Sequence, residues 1–418
     1  MTAALGVPPV FDDGAAFPAR TVVGSESAHV IASDDEAVTV ASEFSQTLAT
    51  GASERDLRRR LPWEEMRSLS ATGLLGITVP SRFGGADVSA VTLAEVVRLL
   101  SAGDSNIGQV PQSHFTFLHA LREVGREEQQ QFFFSEALAG RRFANAQAER
   151  GSSEGRPFST RILPHGKGTF VINGRKSYCT GALFADWVPV VARGEDDKNY
   201  IAFVAAGSTG LEVIDDWDGM GQRVTASGTV QLDDVVVSED NVIAHHELFT
   251  GPATLGAVAQ LVHAAIDAGL AQGALDEAVR LVKDRGAWWE AGVEKAADDP
   301  LLVQRFGELA MSVAASRALL GDAGRALDRA LADRTDETTA AASIAVATAK
   351  AFADRASVEL GSALLEVVGT RGVLEPDNLN RFWRNARTHT LHDPVRWKLQ
   401  HIGRFVLKGT PPPRHGAI

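Results

Sequence analysis

The stretch Thr338–Val368 constrains this chain more than any other. Ala345, Ala349, Phe352, Ala356, Leu360, Ala363 and Val367 recur along it at steps of three and four residues, with no proline to interrupt them. That period is one face of an α-helix, and side chains so small predict close approach to a neighbouring helix, as at a subunit interface. The same period continues on either side. Leu261 and Ala265, then Leu275, Ala278 and Val282, lie on helical faces. Asp299-Pro300 supplies a cap and a first-turn proline, and Phe306, Leu309, Val313 and Leu320 follow as one face. Four long amphipathic helices joined by short loops predict a bundle.

The first third of the chain is helical as well. Ser33 and Glu36 form a capping-box pair, followed by Val40, Phe44 and Leu48 at four-residue spacing. Further helices are expected over Leu57–Leu75, Val91–Ser101, His114–Val124 and Glu127–Gly140. The character changes at Phe143, where short β-rich runs are broken by Gly and Asn. Thr169–Ile172 and Arg175–Tyr178 flank Asn173-Gly174, a strong hairpin signal. Trp187–Ala192, Tyr200–Ala205, Leu211–Ile214 and Thr229–Leu232 read as further strands, predicting a small antiparallel barrel or sandwich. The chain is therefore α+β: an arm over 1–32, a helical domain over 33–142, a β-domain over 143–250, a C-terminal helical bundle over 251–408 and a tail over 409–418.

Composition narrows the function. A net charge of −12 and a pI near 5.4 argue against a nucleic-acid binder. No apolar run reaches membrane-spanning length, and the N-terminus lacks a basic region followed by an apolar core. Cys179 is the only cysteine, which excludes an internal disulfide and fits a reducing cytoplasm. No CxxC or HExxH spacing marks a metal site, and no GxGxxG opens a helix after a strand, so neither a metal nor a nicotinamide nucleotide is expected.

Chemistry-bearing residues concentrate in Asn385–Pro394, which holds Arg387, His389, His392 and Asp393. Proline disfavours helical geometry in the residue before it, so Asp393 is expected where a helix gives way to a turn. A His and a carboxylate there can project into a cleft, and His titrates near neutrality. His389, three residues before His392, shares roughly the same helical face and is the competing candidate for proton transfer.

Arg381–Pro394, RFWRNARTHTLHDP, resembles the C-terminal active-site segment of the flavin-dependent monooxygenases built on the acyl-CoA dehydrogenase fold, which include dibenzothiophene monooxygenase and the sulfur-acquisition oxidoreductases. Pro80–Gly85 is similar to the P-x-x-[FY]-G-G turn of acyl-CoA dehydrogenases. Asn145–Ser153 keeps Glu149 and Gly151-Ser152 of their T-E-P-x-x-G-S segment but lacks its proline. Trp217–Gly228 is similar to a G-M-R-x-T-x-S-G segment of the monooxygenases, with Gly221-Gln222 added before Arg223.

The resemblance implies an oxidoreductase using reduced FMN and O2, oxygenating an organosulfur or similar small molecule through a flavin C4a-hydroperoxide. It also implies a separate reductase supplying the reduced flavin, and a cytoplasmic homotetramer. The alternative is an FAD-dependent acyl-CoA dehydrogenase, in which Asp393 would stand where a longer catalytic Glu belongs. Carried onto this chain, the resemblance makes His392 the proton-transfer residue, with Asp393 orienting it and Asn145 and Thr180 positioning the flavin. Gln147, Tyr178, Cys179 and Trp217 would line the cofactor, and Arg285, Gly369, Arg371 and Gly372 would hold its phosphate. Gln112, Ser113, His114, Trp217, Ser227 and His392 would face substrate. Cys179 is expected to be packed and unreactive. Ser113 stands where dibenzothiophene monooxygenase has a Tyr, which implies a smaller or more oxidised substrate.

Overall fold

A computed structural model describes residues 28–151 and 157–418; most of the expected N-terminal arm, and Ser152 and Ser153, lie outside the described residues. Ser33 caps α1 (Asp34–Ala49) by accepting from the Glu36 amide. The Glu36 carboxylate accepts from the Ala32 amide instead of closing the box on Ser33. The single helix expected over Leu57–Leu75 is divided into α2 (Ala52–Arg58), α3 (Trp63–Ala71) and a 3-10 turn at Leu74–Gly76. Arg59 at φ +51° ends the first piece, and Pro62 begins the next, where its missing N–H costs nothing. Helices α4 (Ala90–Gly103), α5 (Ser105–Gln109), α6 (Gln112–Val124) and α7 (Glu127–Leu138) complete this part.

The strands form one mixed sheet, neither a barrel nor a sandwich. They are β1 (Arg161–Gly166), β2 (Thr169–Lys176), β3 (Trp187–Arg193), β4 (Asn199–Ala205), β5 (Leu211–Ile214), β6 (Thr229–Ser238) and β7 (Val242–Ile243), in the order β5-β6-β2-β1-β3-β4-β7. All pairings are antiparallel except β1 with β3. Asn173-Gly174 does not turn a hairpin. It sits inside β2, where the register against β6 slips between Ile172 and Gly174, a β-bulge. Asn173 there donates to Asp234 Oδ1 and accepts from the Asp234 amide. Gly174 has no room for a Cβ, which would come within 2.7 Å of the Thr160 backbone.

The C-terminal region is built on three long helices, α8 (Leu255–Val282), α9 (Pro300–Ala332) and α10 (Asp336–Val368), of 28, 33 and 33 residues. Two shorter ones follow, α11 (Asn380–His389) and α12 (Val395–Lys408), so the expected bundle of four long helices is replaced by three long and two short. Helix α8 is the axis of the molecule: every residue from Thr254 to Ala271 is buried. At its crossing with α4, a Cβ on Gly269 would come within 2.4 Å of the Arg98 carbonyl oxygen. The small-residue stripe of α10 is used against α8 within the same chain. Ala349 and Ala353 pack with Leu261 to Leu270, and Ala356, Leu360, Ala363 and Val367 with Ala271 to Val282. It is not free for a partner subunit, contrary to expectation.

Candidate active site

Two walls meet where the β-domain abuts the start of α6. Gly181, at φ +77°, lies so near that its Cβ would be 2.9 Å from Val110, just before α6. Gln112, in the first turn of α6, donates to the Ala259 carbonyl of α8 at 3.4 Å. The next residue of α8, Gln260, donates to Asp393 at 2.8 Å. A relay of contacts through neighbouring residues therefore links Thr180, Gln112 and the His392-Asp393 pair.

The first wall belongs to the β-domain. Asn145 donates from its backbone to the Thr180 carbonyl (3.2 Å) and from its side chain to the Tyr178 carbonyl (3.3 Å). Its own Oδ1 accepts from the Gln147 amide (3.2 Å). The Thr180 hydroxyl meets Ser227 at 2.7 Å, Ser227 meets Thr225 at 2.7 Å, and Thr225 donates to the Gln222 carbonyl at 2.9 Å. Trp217 donates from its indole to the same carbonyl at 2.7 Å and meets the half-exposed Tyr178 edge-on. Tyr178, Gln222 and Ala226 all hold left-handed φ, at +59°, +52° and +50°. Non-glycine residues reach that region at a cost that surrounding structure must offset, and such strain gathers at ligand clamps.

Below this wall, Glu149 takes hydrogen bonds from the amides and hydroxyls of Ser159 and Thr160, and from the wholly buried Lys176 ammonium at 2.9 Å. Burial opposes its charge, but these donors outweigh it and hold the carboxyl down at about 2. Cys179 is fully buried, and burial pushes its thiol up to about 12. It is unreactive at neutral pH, and its amide and carbonyl are bonded to the Gly228 carbonyl and the Ala182 amide.

The second wall comes from α8, α10 and α11. His392 lies in the turn after α11, its side chain 45% exposed, and its Nδ1 meets Asp393 Oδ2 at 2.9 Å. Burial would raise the Asp393 carboxyl, but the neighbouring His392 holds it far below the usual carboxylate range. The ring of His263, from α8, lies with its centroid 4.1 Å from that of His392. His263 Nδ1 is 3.1 Å from His389 Nε2, and His389 Nδ1 is 2.7 Å from Asp267. Asp267 also accepts from the wholly buried Lys350 at 2.9 Å, and Lys350 is bonded to Asp354. Burial is the main cause holding both His263 and His389 well below the ordinary histidine range, so both rings are neutral. Burial also raises Asp354, to about 8.

Several expected residues lie elsewhere. His114 is buried, its Nε2 donating to the Leu75 carbonyl at 2.7 Å and its Nδ1 accepting from the Phe143 amide at 3.2 Å. Both nitrogens are spent on joining the helical and β-domains, so His114 has none left for a substrate. Arg285 donates to the Val367 and Val368 carbonyls, capping α10 beside Gly369. The Gly369–Gly372 turn is thus beside Arg285, as expected, but far from the walls just described. From His263 to Val282 alone, α8 spans roughly 28 Å at 1.5 Å per residue. Ser113 is buried and donates to Gln112 Oε1, leaving Gln112 as the more open member of the pair. His389 is enclosed between His263 and Asp267, whereas His392 is the ring that solvent reaches.

Sequence reasoning missed His263, Gln260, Asp267, Gln222 and Asn385. Asn385 accepts from the Gln222 amide at 2.7 Å and donates to Ser105 at 3.1 Å, locking the Trp217–Gly228 loop to α5 and α11. The only signal for it was an amide beside the His-rich stretch. Gln222 has both polar side-chain atoms buried without a partner, and Gln109 and Gln260 each have an unpartnered amide oxygen.

Comparisons with known proteins match the helical, β and helical parts of the chain in turn. Profiles for the acyl-CoA dehydrogenase N-terminal, middle and C-terminal domains match residues 35–141, 143–235 and 261–397. The chain is 32% identical to the probable FMNH2-dependent monooxygenase SfnC of Pseudomonas putida, over 90% of this chain and 96% of that protein. FMN-bound TdsC, a dibenzothiophene monooxygenase from Paenibacillus sp. A11-2, superposes with a TM-score of 0.86 at 28% identity, covering 91% of this chain and 100% of that one. Methanesulfinate monooxygenase MsuC from Pseudomonas fluorescens superposes with a TM-score of 0.84 at 30% identity, covering 91% and 99%.

The Glu149 carboxylate generates a stability prediction. Its folded pKa lies below its unfolded value, so its contribution is complete above about 4.5 and is lost as pH falls toward about 2. Glu149→Gln should therefore lower the melting temperature at pH 7, with the gap to wild type narrowing below pH 4.5. A gap that stays constant from pH 7 to pH 3 would contradict the pairing.

Proposed function

Because the chain belongs to the flavin monooxygenases built on the acyl-CoA dehydrogenase fold, we propose that it is the oxygenase of a two-component system, using reduced FMN from a separate reductase to oxygenate a small organosulfur compound. The observation that carries this reading is the His392–Asp393 pair. A dehydrogenase needs a free carboxylate as base. Here the Asp393 carboxylate is already bonded to His392 Nδ1 and Gln260, and it is held deep in its charged form. What the site presents instead is the half-exposed His392 imidazole, a group able to hold and give a proton.

The residues fit the cofactor. A flavin ring edge alternates carbonyl oxygens with ring nitrogens; the unpartnered amide of Gln222 offers one donor and one acceptor to it, and Gln109 and Gln260 each offer an acceptor oxygen. Asn145, Thr180 and Ser227 would hold the ring edge, with the backbone of Tyr178–Cys179 and the side chains of Gln147 and Trp217 around it. Bound reduced FMN supplies two electrons to O2, so that one oxygen atom reaches the substrate and the other leaves as water. This chain's residues do the remainder. Asp393 fixes the hydrogen on His392 Nδ1, so that His392 gives and regains a proton at Nε2. Trp217 and the strained turns at Tyr178 and Gln222–Ala226 hold the ring's surroundings rigid and exclude water. Gln112, with Ser113 bonded behind it, gives the substrate side a polar wall, which favours a small oxidised sulfur compound over a fused aromatic one.

Arg285, Gly369, Arg371 and Gly372 reach a flavin phosphate in this scheme only from a second copy of the chain, since α8 separates them from His392 in the same copy. A homotetramer supplies that copy. Trp288, Trp289, Leu301 and Met311, all well exposed, form apolar surface for the contact in place of the α10 stripe.

Three outcomes follow. His392→Ala should lower product formation about 10²-fold while FMN affinity changes far less and oxygen consumption continues with release of hydrogen peroxide. Product yield near wild type, with His389→Ala inactive, would transfer the role to His389. With a generic flavin reductase, a short alkanesulfinate should be turned over faster than dibenzothiophene, and the reverse order would remove the substrate assignment. Sedimentation at monomer mass at micromolar concentration would contradict the tetramer.

A further inference from the structure

The three histidines and the carboxylate around Asp393 have a property that proton transfer does not use. Asp267, ion-paired to Lys350, can only accept, so His389 Nδ1 carries the hydrogen of their 2.7 Å bond. With that hydrogen on Nδ1, His389 Nε2 is free to accept. The 3.1 Å contact with His263 is then made by a hydrogen on His263 Nδ1, which leaves His263 Nε2 to present its lone pair. Among the described residues no group donates to that atom. One ligand atom from each of His263, His392 and Asp393 lies within 4.8 Å of the others.

This is the arrangement of a metal site with its outer support already built. A metal-binding imidazole normally donates its other N–H to a partner that fixes its tautomer and raises its basicity; His263 does so to His389, which Asp267 anchors in turn. Asp393, the anionic member, is oriented by Gln260. Two neutral imidazoles and one carboxylate suit a borderline divalent cation, and three protein ligands with an open fourth position are the common pattern for Zn2+. His392 is the most exposed of the three, so it can turn to close the remaining distance to bonds of about 2.0–2.2 Å.

We propose that His263, His392 and Asp393 form a binding site for a Zn2+-class divalent cation, and that its occupancy withdraws His392 from proton transfer. The binding site stands without the functional reading; only the inhibition rests on it. The test uses untagged, flavin-free full-length protein titrated with ZnCl2 by calorimetry, and with Co2+ by visible absorption. The wild type should bind one equivalent per chain, and its Co2+ form should show the intense d–d bands of four-coordination. His263→Gln and Asp393→Asn should each weaken binding by at least about tenfold, the lower end of what even an outer-sphere change costs. His392→Asn, on the solvent side of the cluster, decides the case if His263→Gln does not fold. Absence of one-equivalent binding, or binding unchanged in all folded variants, would overturn the site. Binding with no loss of oxygenation that EDTA can restore would leave the site standing and count against the role given to His392.

Discussion

The ion pair between Asp267 and Lys350 is the contact on which the rest depends. Both side chains are wholly buried, and Asp267 on α8 also accepts from His389 on α11, so one carboxylate joins three helices at the axis of the molecule. Two charges in such surroundings are stabilising only when their remaining hydrogen-bond capacity is satisfied, and removing one partner typically costs about 3–5 kcal/mol. The neighbouring Asp354, whose carboxyl burial raises, is the second partner of the same ammonium. What the pair contributes beyond stability is direction. It sets the tautomer of His389, and through it that of His263, up to the edge of the site.

The opposite wall is rigid for a different reason. Thr180, Ser227, Thr225 and Gln222 form a chain of hydrogen bonds ending on the carbonyl that also holds Trp217. Two residues of the Trp217–Gly228 loop, Gln222 and Ala226, hold left-handed conformation, as does Tyr178 beside it, and Asn385 clamps the loop to α11. Helix α11 therefore serves both walls: Asn385 at its middle holds the β-domain loop, and His389 at its end joins the buried ion pair. A small rotation of α11 would disturb both at once, so the two walls keep a common geometry.

Much of this was legible in the sequence where a repeating pattern carried the signal. Helical periodicity located α8 to α10 and most N-terminal helices, and β-rich runs located five of the seven strands, β2 to β6. Asn173-Gly174 misled because the same freedom of φ serves a hairpin and a bulge; only the partner strand decides. The site divides likewise. His392, Asp393, Asn145 and Thr180 stood in dense polar motifs. His263 and Asp267 did not, because α8 is buried on all sides from Thr254 to Ala271 and has no polar face there against which a lone His or Asp stands out. Lys350, inside an alanine-rich run, was hidden in the same way. His114 was misplaced because a buried satisfied histidine and a pocket histidine look identical until their partners are known. The cluster of His263 with His392 and Asp393 joins residues far apart in the chain, so no spacing motif could announce it.

A monooxygenase on this fold transfers an oxygen atom, whereas a dehydrogenase desaturates an acyl chain, and isotope labelling separates the two. Protein, enzymatically reduced FMN and a short alkanesulfinate would be mixed under 18O2 and the product analysed by mass spectrometry. One 18O atom per product molecule is expected. Product without 18O, or flavin bleached by an acyl-CoA thioester in the absence of oxygen, would contradict it.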